Sequence, residues 1–115
     1  MMKDIKTVRV YCIVNQLEEK ILTGIKKPIV ILAQNGSYNL PQEIAPNQKT
    51  IGVMLPYTPI HILLFSQKIK VLIMTSANIN GLPIEYKDDS ARDGLSEIVD
   101  YFLMHNREIY VPIDD

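Results

Sequence analysis

Short apolar runs separated by polar turns set out the elements of this chain before any chemistry is considered. Asp4, ahead of a charged amphipathic pattern, can cap a short helix running through Cys12. Asn15 with Glu18 three residues later forms a capping-box pattern for a second helix that ends at Gly24. Pro28 to Ala33 is a β-run, and a polar loop begins at Asn35-Gly36-Ser37 and lasts to about Gln48, broken by Pro41 and Pro46. Unstructured loops beyond about 12 residues are usually functional or mobile, which marks this one as a lid or as cover for a sheet edge. Thr50 to Leu55 alternates as a strand, and Thr58 with Pro59 makes an N-cap and first-turn pair for a helix to about Ser66. Lys70 to Thr75 is the next predicted strand. Asp88, Asp89 and Ser90 offer N-caps for a helix through about Tyr101, and Glu108 to Val111 closes the chain as a short strand. Helical crossovers between strands imply at least partly parallel pairing, so the expected fold is α/β with a twisted, open, mixed sheet.

Within this layout one stretch concentrates chemistry. The apolar run Val71-Leu72-Ile73 stops at Met74-Thr75-Ser76-Ala77-Asn78-Ile79-Asn80-Gly81-Leu82-Pro83-Ile84, where hydroxyls and amides cluster and the chain turns at Gly81 and Pro83. Open sheets bind ligands beyond the carboxyl ends of their strands. From local pattern alone the same residues also read as a strand-end turn whose side chains satisfy their own backbone.

Composition narrows the function classes. With 115 residues the chain has the size of a single domain, and 47% hydrophobic content supports a folded core. Twelve Lys and Arg against thirteen Asp and Glu give a formal charge of −1, so no global positive field draws in nucleic acid or an anionic membrane. The lone Cys12 excludes an internal disulfide, and His61 and His105 lie too far apart in sequence to suggest a metal cluster. Cys12 reads as a small buried hydrophobe, His61 as packing or surface, and His105-Asn106-Arg107 as a polar turn. No apolar run approaches the roughly 20 residues of a membrane span, and no secretory signal core opens the chain. A reduced, cytoplasmic setting is expected.

Three ordered blocks carry a family resemblance: Thr50 to His61, Met74 to Ile84, and Asp100-Tyr101-Phe102-Leu103-Met104-His105-Asn106-Arg107. Together they resemble the YrdC-like domain of hydrogenase-maturation carbamoyltransferases of the HypF type, and more distantly the threonylcarbamoyl-AMP synthases. The resemblance implies a twisted α/β fold that forms an acyl adenylate, from ATP and a carbamoyl donor in the HypF branch. It places Thr50, Ser76 and Asn78 as nucleotide- and acyl-binding residues. Their hydroxyl and amide groups suit directional bonds to phosphate or carbamoyl oxygens. Arg107 is the candidate anion contact. Met54 stands where threonylcarbamoyl enzymes resemble one another in carrying arginine, which favours the carbamoyl branch.

The resemblance also sets an expectation of truncation. In that family a basic Lys/Arg motif and a Lys-Pro pair precede the position of Met2, and Lys26-Lys27-Pro28 matches a different, variable position. A single YrdC-like domain truncated on its N-terminal side is therefore expected, binding ATP with magnesium or carbamoyl phosphate weakly and catalysing little alone. It is expected to self-associate or to pair with a complementary N-terminal segment. Two other classes stay open: a module for double-stranded RNA or tRNA, and a non-catalytic folded remnant acting through protein contacts.

Overall fold

Local hydrogen bonds at three helix starts organise the chain. In the computed structural model, which describes residues 1–36, 40–65 and 68–112, Asp4 caps helix α1 (Ile5–Tyr11) by accepting from the Thr7 amide at 2.8 Å. Asn15 caps α2 (Gln16–Thr23) through a complete capping box, its side chain accepting from Glu18 N–H while the Glu18 carboxylate accepts from Asn15 N–H. Thr58 caps α3 (Pro59–Leu64), with Pro59 in the first turn where its missing N–H costs nothing. The expected end of that helix, Ser66, lies outside the described residues. An exposed Arg9–Glu19 ion pair ties α1 to α2.

The chain divides into two compact units, Met1–Met74 and Thr75–Asp115. In the first, strands β1 (Cys12–Ile13), β2 (Val30–Gln34) and β3 (Thr50–Val53) form one sheet in that order. Ile5 and Val8, three residues apart, turn one side of α1 toward Leu22, Leu32, Val53 and Leu55 in the core, which Cys12 of β1 joins. Leu22, Leu32 and Val8 are fully buried. Burial also pushes the Cys12 thiol pKa up, in keeping with a small packed hydrophobe.

The α/β class stands, while several details differ from the sequence reading. Both pairings in the sheet are antiparallel, not partly parallel. The chain leaves β1 and enters β2 at the same end of the sheet, so α2 serves as a long hairpin connection. The predicted first helix stops one residue early because Cys12 is extended and pairs with Gln34. Among the described residues Lys70 to Thr75 forms no strand, and its one bridge joins Val71 to Met2. Beside that bridge Leu72 N–H donates to Met1 C=O, and Lys3 N–H donates to Lys70 C=O. Among the described residues of the Asn35–Gln48 loop, Gln42–Ile44 form a 3-10 turn. Leu40 of that loop packs against the core; Ser37 to Asn39 lie outside the described residues.

The second unit holds helix α4 (Asp88–Leu95), whose Leu95 is buried. Its N-cap is Lys87, one residue before the predicted Asp88. Asp88 and Asp89 instead occupy the first turn, where negative charge complements the helix dipole, and the Ser90 hydroxyl donates back to Lys87 C=O. The helix ends six residues short of Tyr101, after Gly94, a residue that weakens helix interiors. Glu108 to Val111 has no strand partner among the described residues.

Two measurements check this packing. Leu32→Ala should lower unfolding free energy by about 2–5 kcal/mol in urea denaturation, whereas Ile31→Ala, at a side chain 71% exposed, should cost well under 1 kcal/mol. Comparable losses would contradict the assigned faces of β2. The Asp4 carboxyl pKa is held below its ordinary value first by the Thr7 amide and then by the Thr7 hydroxyl, with smaller help from Lys3 and Lys6 against slight desolvation. That stabilisation is complete above the ordinary aspartate pKa of about 3.9 and is lost as pH falls through the lower folded value. Asp4→Asn should therefore flatten the acid limb of thermal stability below about pH 4, and an unchanged limb would contradict the cap.

Candidate functional site

Ser76 and Asn78 sit in the second unit beside a tight turn. Leu82 N–H donates to Ile79 C=O at 2.9 Å, and Gly81 takes φ +81°, the left-handed value that a glycine at the third turn position supplies without strain. Asn78 braces that turn from inside. Its amide nitrogen donates to Leu82 C=O at 2.9 Å and to Ile79 C=O at 3.3 Å. Glu85 N–H closes the far side onto Ala77 C=O at 2.8 Å. The Ser76 hydroxyl donates to Asn78 Oδ1 at 2.5 Å.

These side chains open onto a cavity of about 510 Å³ in the same unit. Thr75, Ser76, Ala77, Asn78 and Asn80 line one part of it, and Leu95, Ile98 and Val99 supply an apolar wall. The predicted strand-end cluster is thus a polar rim on a partly apolar hollow, the arrangement small-molecule sites favour. That wall was not legible from sequence, where the stretch read only as a helix through about Tyr101.

Thr50 belongs to the first unit. It is opposite Ala33 in the β2–β3 register, and Ala33 in turn is opposite Ile13 of β1. Strand alternation sends Leu32 and Val53 inward and leaves Thr50 and Gly52 on the open face with Ile31 and Ala33. That face is apolar rather than polar, with Ile13 62% and Ile31 71% exposed. Ile31, Thr50 and Gly52 of that face line a cavity of about 350 Å³ whose sides include Leu40, Ile44 and Met74. A Cβ at Gly52 would come within 3.2 Å of the Ile29 side chain, so the glycine keeps this face flat. The loop that the sequence marked as lid or edge cover therefore contributes a wall.

Arg107 lines a different cavity of the second unit, about 290 Å³, with Tyr86, Lys87, Asp88 and His105. Its backbone N–H donates to His105 Nδ1 at 3.2 Å, so the turn read from sequence is present and Arg107 is separate from the Ser76 hollow. His61 packs edge-on against Tyr57 at 4.7 Å between ring centroids, and its Nδ1 is buried without a hydrogen-bond partner among the described residues. No group of His, Cys, Asp or Glu suited to a metal occurs among the described residues, and none of their helices is long and apolar enough to cross a membrane.

Comparison with known proteins shows the family and the fold. Residues 1–115 match the family comprising Sua5, YciO and YrdC, described under the heading Telomere recombination. The chain belongs to this family. It is 48% identical over 88 residues to the carbamoyltransferase HypF of Rhodobacter capsulatus, covering 76% of this chain and 12% of that protein. It is 37% identical over 116 residues to a probable carbamoyltransferase HypF of Methanocaldococcus jannaschii, covering 100% of this chain and 15% of that one. Two solved HypF structures superpose over all of it. Full-length HypF in a phosphate- and nucleotide-bound form gives a TM-score of 0.92 at 42% identity, with 18% of that chain covered. HypF of T. kodakarensis gives 0.93 at 43% identity, with 15% covered. The fold is that of the HypF YrdC-like domain, and the chain spans less than a fifth of the length of these relatives.

Removing the brace should be visible locally. Asn78→Ala should raise the amide exchange rate of Leu82 about fivefold, as expected for losing roughly 1 kcal/mol of hydrogen bonding, with α4 unaffected. Unchanged exchange at Leu82 would show that the turn holds without Asn78.

Proposed function

We propose that this chain binds a nucleotide or an acyl phosphate of the kind used to make a carbamoyl adenylate, with Ser76 and Asn78 as the binding residues. The observation that carries the reading is the Asn78-braced turn holding Ser76 at the rim of a cavity of about 510 Å³. Membership of the Sua5, YciO and YrdC family supports it, as does the likeness to a HypF whose structure was solved with phosphate and nucleotide. Acyl-adenylate chemistry asks a protein chiefly for positioning and charge stabilisation, not for a nucleophile.

The same cavity explains why catalysis by this chain alone should be slight. None of its lining residues is Lys or Arg. A triphosphate held there lacks charge-assisted hydrogen bonds worth about 1.5–3 kcal/mol each, so affinity in the millimolar range is expected. Magnesium enters as the ion that accompanies ATP.

Calorimetric titration of the 115-residue chain with ATP and magnesium, with and without carbamoyl phosphate, tests the reading. Saturable binding that weakens at least tenfold in the Ser76→Ala, Asn78→Ala variant is the expected result. Absence of heat at millimolar ATP and carbamoyl phosphate would contradict it.

A further inference from the structure

A cavity of about 310 Å³ in the first unit has no part in the reading above, and it shares no lining residue with the cavities at Thr50, Ser76 or Arg107. Ile5, Leu55, Pro56, Ile62 and Phe65 supply its apolar lining, drawn from the start of α1, the stretch after β3, and α3 with its C-cap. Leu55 is buried and belongs to the core, so this part of the lining is held by the packing that holds the sheet. The polar lining is Lys3, Asp4, Thr23 and Lys27.

What each polar group has left to offer follows from the bonds it already makes. The Asp4 carboxylate accepts from the Thr7 amide and hydroxyl, and the Thr23 hydroxyl donates to Glu19 C=O at 2.7 Å. Neither has a proton left for a ligand. Lys3 and Lys27 do: Lys3 acts on Asp4 through space, and no hydrogen bond or ion pair engages either ammonium among the described residues. Of the Lys26-Lys27 pair, to which the sequence assigned no role, Lys27 lines the hollow; it takes φ +45° and is half-buried, while Lys26 is exposed. Two ammonium groups against one carboxylate leave the lining with a single net positive charge.

We propose that this hollow binds a monoanion with an apolar body, an alkyl monocarboxylate whose head meets Lys3 and Lys27 and whose tail lies along Leu55, Ile62 and Phe65. Charge complementarity carries the choice. A neutral apolar ligand would leave both ammonium groups without a counter-charge, and an alkyl ammonium would meet them as like charges. A small dianion such as phosphate would exceed the net charge of the lining and gain nothing from its apolar part. The volume lies at the lower end of the roughly 300–1,000 Å³ of small-molecule sites, and a mostly apolar lining with a few polar groups is their usual composition. The lysine stems add apolar surface to the walls while their heads reach the ligand.

Octanoate, octanol and acetate separate head from tail, since octanol lacks the charge and acetate the apolar body. NMR titration of the full chain should show saturable octanoate shifts at Ile5, Leu55 and Phe65, with an affinity about tenfold above that of either other compound. The Lys3→Gln, Lys27→Gln variant should bring octanoate down to the affinity of octanol and leave octanol unchanged, whereas Lys27→Arg should keep the preference. Equal binding of octanoate and octanol would reduce the site to an unselective apolar hollow and overturn the inference. Equal binding of acetate would reduce it to surface lysines and overturn it too, as would octanoate shifts centred elsewhere or a preference undiminished in the double variant. None of these outcomes touches the nucleotide reading, because Ser76 and Asn78 do not line this cavity.

Discussion

The burial of Leu32 is the constraint on which the first unit depends. A strand's side chains alternate, so a slip of one residue would carry Leu32 to solvent and bring Ile31 into the core. With Leu32 fully buried beside Leu22 and Val53, the register is fixed at Ile31 opposite Gly52 and Ala33 opposite Thr50. The candidate residue Thr50 is thereby placed on the open face, not by any property of its own but by the packing of its neighbours. The same alternation leaves Ile31 exposed on that face, where it lines the cavity beside Thr50.

The second unit uses a different device. It has little buried apolar mass to position its candidate residues; Leu95 is its buried hydrophobe among the described residues. Hydrogen bonds do the positioning instead, through the bonds of Asn78 to Leu82 and Ile79 and that of Ser76 to Asn78. An amide committed to two carbonyls has no freedom to flip, and this fixed orientation gives the turn its chemical polarity.

What the sequence could show follows from how local each feature is. The caps at Asp4, Asn15 with Glu18, and Thr58 with Pro59 were legible because each bond closes within three residues. The turn at Gly81 was legible for the same reason. Strand β1 was hidden because two extended residues at a helix end carry no periodicity. Antiparallel pairing was hidden because direction is set by where α2 returns the chain, which no local pattern records. Lys70 to Thr75 has the composition of a strand, and its bridge from Val71 to Met2 is a tertiary contact that no local pattern records. At the candidate site, Ser76 and Asn78 could be named from sequence with the family's help. Their hydrogen-bond direction could not, since it depends on which carbonyls Asn78 meets, and the separation of Arg107 into another cavity is a tertiary fact.

The central claim is that the braced turn of the second unit is a living ligand site. Amide chemical-shift mapping of the uniformly labelled chain, titrated with carbamoyl phosphate, tests it most directly. The account predicts saturable shifts concentrated at Thr75 to Asn80 and at the Leu95, Ile98 and Val99 wall. A spectrum unchanged at millimolar ligand, or shifts scattered over the surface without saturation, would contradict it.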